Sequence, residues 1–105
     1  MILVTGATGT TGREVVRELA AVGVPVRAMS RDRNLLDTLF DSRVEKAVAD
    51  FEDSASLCAA LFGAKQAFLL SANTPNQREQ EACFLSAAKS AGLGHIVRLS
   101  AKLPY

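Results

Sequence analysis

Residues 1–12 read MILVTGATGTTG: an apolar, partly β-branched run passes straight into glycines at positions 6, 9 and 12 before any helix-forming pattern begins. Residues 1–5 predict a strand buried on both faces, because the run lacks the alternation of a half-exposed strand. Over residues 13–21, Val15, Val16, Leu19 and Ala20 recur at i, i+3 and i+4, the spacing of an amphipathic helix that Gly23 is placed to end. A buried strand, a glycine turn and a helix make the first half of a βαβ unit.

Outward from that stretch the alternation continues. Residues 24–29 predict a second strand, with Pro25 near its entrance where a missing N–H is tolerated. Asp32 is placed to cap a helix that turns Leu35, Leu36, Leu39 and Phe40 inward, and 44–48 forms a short third strand. Asp53 or Ser54 opens a third helix with Leu57, Cys58, Leu61 and Phe62 inward, closed by Gly63. Residues 66–71 form a fourth strand, 77–91 a helix burying Phe84, Ala87, Ala88 and Ala91, and 95–99 a fifth strand. Strands alternating with helices predict right-handed crossovers and an α/β fold, a three-layer α/β/α sandwich around a parallel five-stranded sheet of order 3-2-1-4-5. In such a sheet the ligand crevice opens where the strand order reverses, between the C-terminal ends of strands one and four. TGATGTTG (5–12) and SANTP (71–75) both fall there.

The totals narrow the function. The chain has 105 residues, enough for one domain spanning 1–105 but too few for a dinucleotide fold with a separate substrate lobe. With 49% hydrophobic and 22% charged residues it reads as globular, and its net charge of +1 provides no field that would favour nucleic acid or an anionic membrane. Cys58 and Cys83 lack CxxC spacing and His95 is the single histidine, which speaks against a metal site. Both cysteines read as buried, reduced thiols with no chemical role. No apolar run approaches the roughly 20 residues of a membrane span, and MILV lacks the basic lead of a signal peptide. A soluble, cytoplasmic protein is expected.

A glycine triplet alone is a weak signal, but this one follows a buried strand and opens a helix within a βαβ unit. Physically, Gly6 makes the tight turn, Gly9 lets backbone approach a pyrophosphate, and Gly12 allows helix to pack closely on strand. The amides near Thr10 and Thr11 then face the phosphates, and the hydroxyls of Thr8, Thr10 and Thr11 add donors. No Lys-Ser or Lys-Thr follows the glycines, which argues against a P-loop.

The spacing is GxxGxxG. Together with VRAMSRD (26–32), the stretch from Val48 to Ser71 and AAKSAGLGHIVRLSA (87–101), it resembles the short-chain dehydrogenase/reductase superfamily and, more narrowly, its atypical NmrA-like branch of NAD(P)H-dependent quinone reductases and NADP-sensing regulators. The resemblance covers essentially the whole chain and implies a dinucleotide partner. In related epimerases an acid about 18 residues after the last glycine binds the adenosine ribose. Here that position is Ser30, followed by Arg31, so a hydroxyl and a guanidinium replace the acid. Ser30 and Arg31, with Arg33 as a third candidate, fit a 2′-phosphate clamp and favour NADP(H) over NAD(H); the other reading of Arg31 is a solvated surface arginine. Asp32 is better read as a helix cap than as a ribose acid. The resemblance places Asp50 and Phe51 at the adenine, the alternative being that Asp50 starts the next turn. It also runs Leu70, Ser71 and Ala72 beside the nicotinamide ribose. Asn73 and Gln77 either reach the crevice or are simply solvated, and His95 reads as structural.

Catalytic machinery is not legible. Members with the superfamily's Tyr-x-x-x-Lys pair use tyrosine as proton donor, but the single tyrosine here is Tyr105, the last residue. Ser100 and Lys102 occupy the region from which catalytic side chains often project, without further support. The resemblance implies a longer protein, with more strands and a lobe forming the substrate pocket, so the chain is expected to be the N-terminal, nucleotide-binding part. It should bind better than it catalyses. With the missing part, hydride transfer to a quinone or small carbonyl compound is implied; the alternative is a redox sensor that binds NADP without turnover. An uncovered fifth strand would favour a homodimer or larger homo-oligomer through that edge.

Overall fold

The computed structural model describes residues 1–71 and 77–100, with only the backbone described for residues 70, 71, 77 and 98–100. Among the described residues nine elements alternate: β1 (Ile2–Val4), α1 (Thr10–Ala21), β2 (Val26–Ser30), α2 (Arg33–Leu39), β3 (Glu45–Val48), α3 (Ser54–Leu61), β4 (Gln66–Ser71), α4 (Gln77–Ser90) and β5 (His95–Ser100). The strands form one sheet of order β3-β2-β1-β4-β5, and every neighbouring pair is parallel. The architecture is therefore the one predicted from the alternation.

Two cores explain why the central strands read as unbroken apolar runs. Leu3, Met29, Ala67 and Leu69 pack with Leu57, Ala60 and Leu61 of α3 and Phe84, Ala87 and Ala88 of α4. On the other face Val4, Val26 and Ala28 pack with Val16 of α1, Leu36 of α2 and Phe40. Successive side chains of a strand point to opposite faces, so Leu3 and Val4 each meet a different helical layer and both are fully buried. Thr5, also buried, extends the tie to β4: its N–H and Oγ1 both donate to the Phe68 carbonyl, at 3.1 and 3.3 Å.

Several side chains depart from the predicted inward faces. Cys58 and Cys83 are exposed free thiols. The buried stripe of α3 is Leu57, Ala60 and Leu61, which leaves Cys58 on the outside; in α4 the stripe runs Glu81, Phe84, Ala87 and Ala88, and Cys83 falls beside it. Phe62 is 80% exposed because α3 ends before it: as C-cap residue, with φ −58° and ψ 122°, its ring is carried outward. Leu35 is exposed because the short α2 turns Leu36 to the core, and Ala91 is exposed because α4 stops at Ser90.

Arg27, which drew no attention as sequence, holds α3 against the sheet. Its Nη1 donates to the carbonyls of Ala60 and Phe62 at 2.5 and 2.6 Å, and its Nε pairs with Glu45 at 2.8 Å. A cation at the C-terminal end of a helix satisfies carbonyls that have no partner within the helix and opposes the negative end of its dipole.

Candidate functional site

The turn after β1 is built as the glycines require. Gly6 has φ +61°, in the left-handed region, and its carbonyl accepts from the Gly9 N–H at 3.1 Å. Ala7, buried, donates its N–H to the Met29 carbonyl at 3.2 Å and so fastens the loop to the end of β2. Gly12 has no room for a side chain: a Cβ there would run into the Gly6 carbonyl and lie 2.9 Å from Ala7 Cα. Gly9 differs. Its φ of −76° suits any residue, and a Cβ would meet nothing nearer than the Gly6 oxygen at 3.4 Å. The chain's own packing therefore accounts for Gly12 and makes no such demand at Gly9.

Gly9 is the N-cap of α1 and supplies no side-chain cap. The helix closes with Arg13 N–H donating to the Gly9 carbonyl at 2.9 Å, which leaves the Thr10, Thr11 and Gly12 amides as the donors without an intrahelical partner. The first turn contains no acidic residue, and Arg13 follows directly, its Nη2 donating to the Thr8 carbonyl at 3.0 Å. No carboxylate of the first turn therefore offsets the positive end of the helix dipole, and Arg13 adds a further positive charge beside it. Arg13 escaped sequence reading because nothing in its local pattern shows that it reaches back under the loop.

Beside the loop a cleft of about 730 Å³ is lined by Gly6 and Thr8, by Ser30 and Arg31 at the end of β2, and by Asp50 and Phe51 after β3. Buried Met29 and Ala49 close its inner side, while Asn34 and Leu35 of α2 and Gln80 of α4 also line it. Thr8 Oγ1 and Ser30 Oγ lie 3.3 Å apart, and Ser30 Oγ accepts the Asp32 N–H at 3.1 Å. Asp32 caps α2 as predicted, accepting the Leu35 N–H at 3.1 Å. Arg33 is engaged along its helix with Asp37 at 3.4 Å, whereas exposed Arg31 has no ion pair among the described residues.

Asp50 bears out the turn-forming one of its sequence readings and also lines the cleft. One carboxylate oxygen accepts the Glu52 N–H at 2.9 Å and its carbonyl accepts the Asp53 N–H at 3.0 Å, so it does shape the turn into α3. Its other carboxylate oxygen has no partner among the described residues, and the half-buried residue lines the cleft. Phe51 packs edge-on against Phe84, with ring centroids 6.1 Å apart and planes at 67°. Of the other predicted positions, Gly9 at the N-cap and Thr10 and Thr11 in the first turn of α1 are exposed, and Gly12 is buried. The backbones of Leu70 and Ser71 pair with Leu99 and Ser100 at the end of β4, and Ala72, Asn73, Lys102 and Tyr105 lie outside the described residues. Gln80 was missed, since its approach depends on how α4 lies across the sheet.

The chain is 39% identical over 97 residues to an NAD(P)H azoreductase of Xenophilus azovorans, covering 92% of this chain and 34% of that protein. It superposes with a TM-score of 0.83 and 31% identity on the NADPH-dependent quinone oxidoreductase of Escherichia coli crystallised with NADPH, covering 93% of this chain and 36% of that one. The triphenylmethane reductase of Citrobacter sp. complexed with NADP(H) gives the same TM-score, identity and coverage. The chain spans about a third of the length of the curated relatives it matches. The description of the NmrA-like family matches residues 1–101, from the first strand through the last, and the chain belongs to that family.

Proposed function

We propose that this chain binds a nicotinamide adenine dinucleotide in the cleft, with NADP(H) favoured over NAD(H). The observation that carries the reading is convergence: Gly6 and Thr8, Ser30 and Arg31, and Asp50 and Phe51, drawn from three strand ends, line one cleft. The backbone at Gly9 and the amides and hydroxyls of Thr10 and Thr11 take the pyrophosphate, with Thr8 beside them and Gly12 permitting the approach. Arg31, set beside Ser30, takes the 2′-phosphate. Asp50 and Phe51 hold adenine, and the backbone of Leu70, Ser71 and Ala72 runs beside the nicotinamide ribose.

Bound in its reduced form, the dinucleotide would supply a hydride from its nicotinamide ring and be left oxidised. In a protein of the length of its relatives, we propose transfer to a quinone or small carbonyl compound, a reading supported by relatives named as reductases. Exposed, unpaired Cys58 and Cys83 suit a reducing cytoplasm, and among the described residues no helix is long and apolar enough to cross a membrane. At the sheet margin β5 has β4 as its one partner among the described residues, and we propose that a second copy pairs there. Light scattering should then give a mass of at least twice 11.2 kDa; a monomer at high concentration would rule this association out.

Calorimetric titration tests the nucleotide assignment. NADP⁺ should bind more tightly than NAD⁺, and Arg31→Ala should weaken NADP⁺ by about tenfold or more while leaving NAD⁺ within about twofold. Equal losses for both would show that Arg31 does not read the 2′-phosphate. Because Arg31 is exposed, the preference should also shrink as salt is raised.

A further inference from the structure

The corner of the cleft at Phe51 contains a polar group that the dinucleotide assignment does not use. Gln80, half-buried on α4, lines the cleft together with Asp50 and Phe51. It lies one helical turn before Phe84, so the two side chains share a face of α4, and Phe84 is the residue against which Phe51 packs. Gln80 therefore lines the same part of the cleft as Phe51 and Asp50, whose second carboxylate oxygen is unpartnered among the described residues. Among the described residues Gln80 has no hydrogen-bond partner of its own.

We infer that Gln80 reads the edge of the adenine base. This rests on the dinucleotide reading above. An aminopurine offers an exocyclic N–H donor beside ring-nitrogen acceptors, and a carboxamide has the complementary acceptor and donors on one planar group. Asp50 accepts one N–H of the exocyclic amine, and the Gln80 amide spans the remaining N–H and a ring nitrogen. Phe51, fixed by Phe84, provides the apolar surface against which the base plane lies. Gln80 is on this account a specificity-determining residue for the base, whereas Arg31 reads the phosphate.

Etheno-NADP⁺ tests it, since the 1,N6-etheno bridge removes the exocyclic donor and blocks the neighbouring ring nitrogen while leaving both phosphates intact. The unsubstituted 105-residue chain should bind NADP⁺ about tenfold or more tightly than etheno-NADP⁺. Gln80→Leu should weaken NADP⁺ by about fivefold to tenfold, leave etheno-NADP⁺ within about twofold, and so narrow the gap to what the Asp50 hydrogen bond to the same amine contributes. Arg31→Ala should weaken both ligands and keep the gap. Thermal unfolding of the ligand-free variants checks that Gln80→Leu folds as the parent does. Equal weakening of both ligands by Gln80→Leu, or no effect on either, would overturn the assignment while leaving dinucleotide binding in place. A parent chain that binds neither ligand would overturn both.

Discussion

Gly9 and Gly12 stand three positions apart, at the N-cap and in the first turn of α1, and the packing around them differs. At Gly12 a methyl group would collide with the backbone of Gly6 and Ala7, neither of which can yield as a flexible side chain could. Gly12→Ala should therefore cost about 2–3 kcal/mol of stability, the scale of an overpacked core position, measured by urea denaturation of the ligand-free chain. At Gly9 a methyl fits, so Gly9→Ala should change stability by less than about 1 kcal/mol. It should nonetheless weaken NADP⁺ clearly in titration, because the added carbon occupies the approach to the helix amides. If Gly9→Ala bound NADP⁺ as the parent does, its place at the pyrophosphate would be lost. The two roles read alike in sequence, since a glycine triplet records where side chains are absent and not what fills the space.

Among the helices, the caps separate structure from site. α2 and α3 begin at Asp32 and Asp53, whose carboxylates accept first-turn amides, while α1 begins at Gly9 without a side-chain cap. Two helices thus satisfy first-turn amides with their own side chains, and α1 does not. Asp53→Ala should cost about 1 kcal/mol, the usual value of an N-cap. Arg27→Met, which removes a largely buried guanidinium from two carbonyls and Glu45, should cost about 2 kcal/mol. Denaturation midpoints should show both losses with NADP⁺ affinity retained; an Arg27→Met chain as stable as the parent would show that α3 does not depend on this tie. Between α2 and β3, the hydrogen bond from the Arg43 side chain holds the Asp41 carboxyl below its ordinary range. That contribution is complete above the usual aspartate range and fades as pH falls through the lowered value; both groups are exposed, so it is small and salt-sensitive.

For the molecule as a whole, two helical layers on one parallel sheet leave the site at the strand ends and the thiols on the outer surface. Cys58 and Cys83 should both react with a thiol reagent in the native state without prior unfolding. Protection of either until denaturation would mean that its helix turns differently from the arrangement described. The sequence by itself determined the order of elements, the glycine turn and the Asp32 cap, because these depend on local conformational preference and hydrophobic period. That Ser30 and Arg31 stand at the end of the second strand was legible for the same reason, whereas the role proposed for them came from the family resemblance. Only the tertiary structure decided the rest. Whether Cys58 faces in or out, where the chain leaves α3 before Phe62, and which distant groups Arg27, Arg13 and Gln80 reach depend on how each helix is rotated and laid across the sheet. Those angles are set by side chains far away in sequence, which is why the residues that fix the loop and line the corner beside Phe51 emerged only when the layers were assembled.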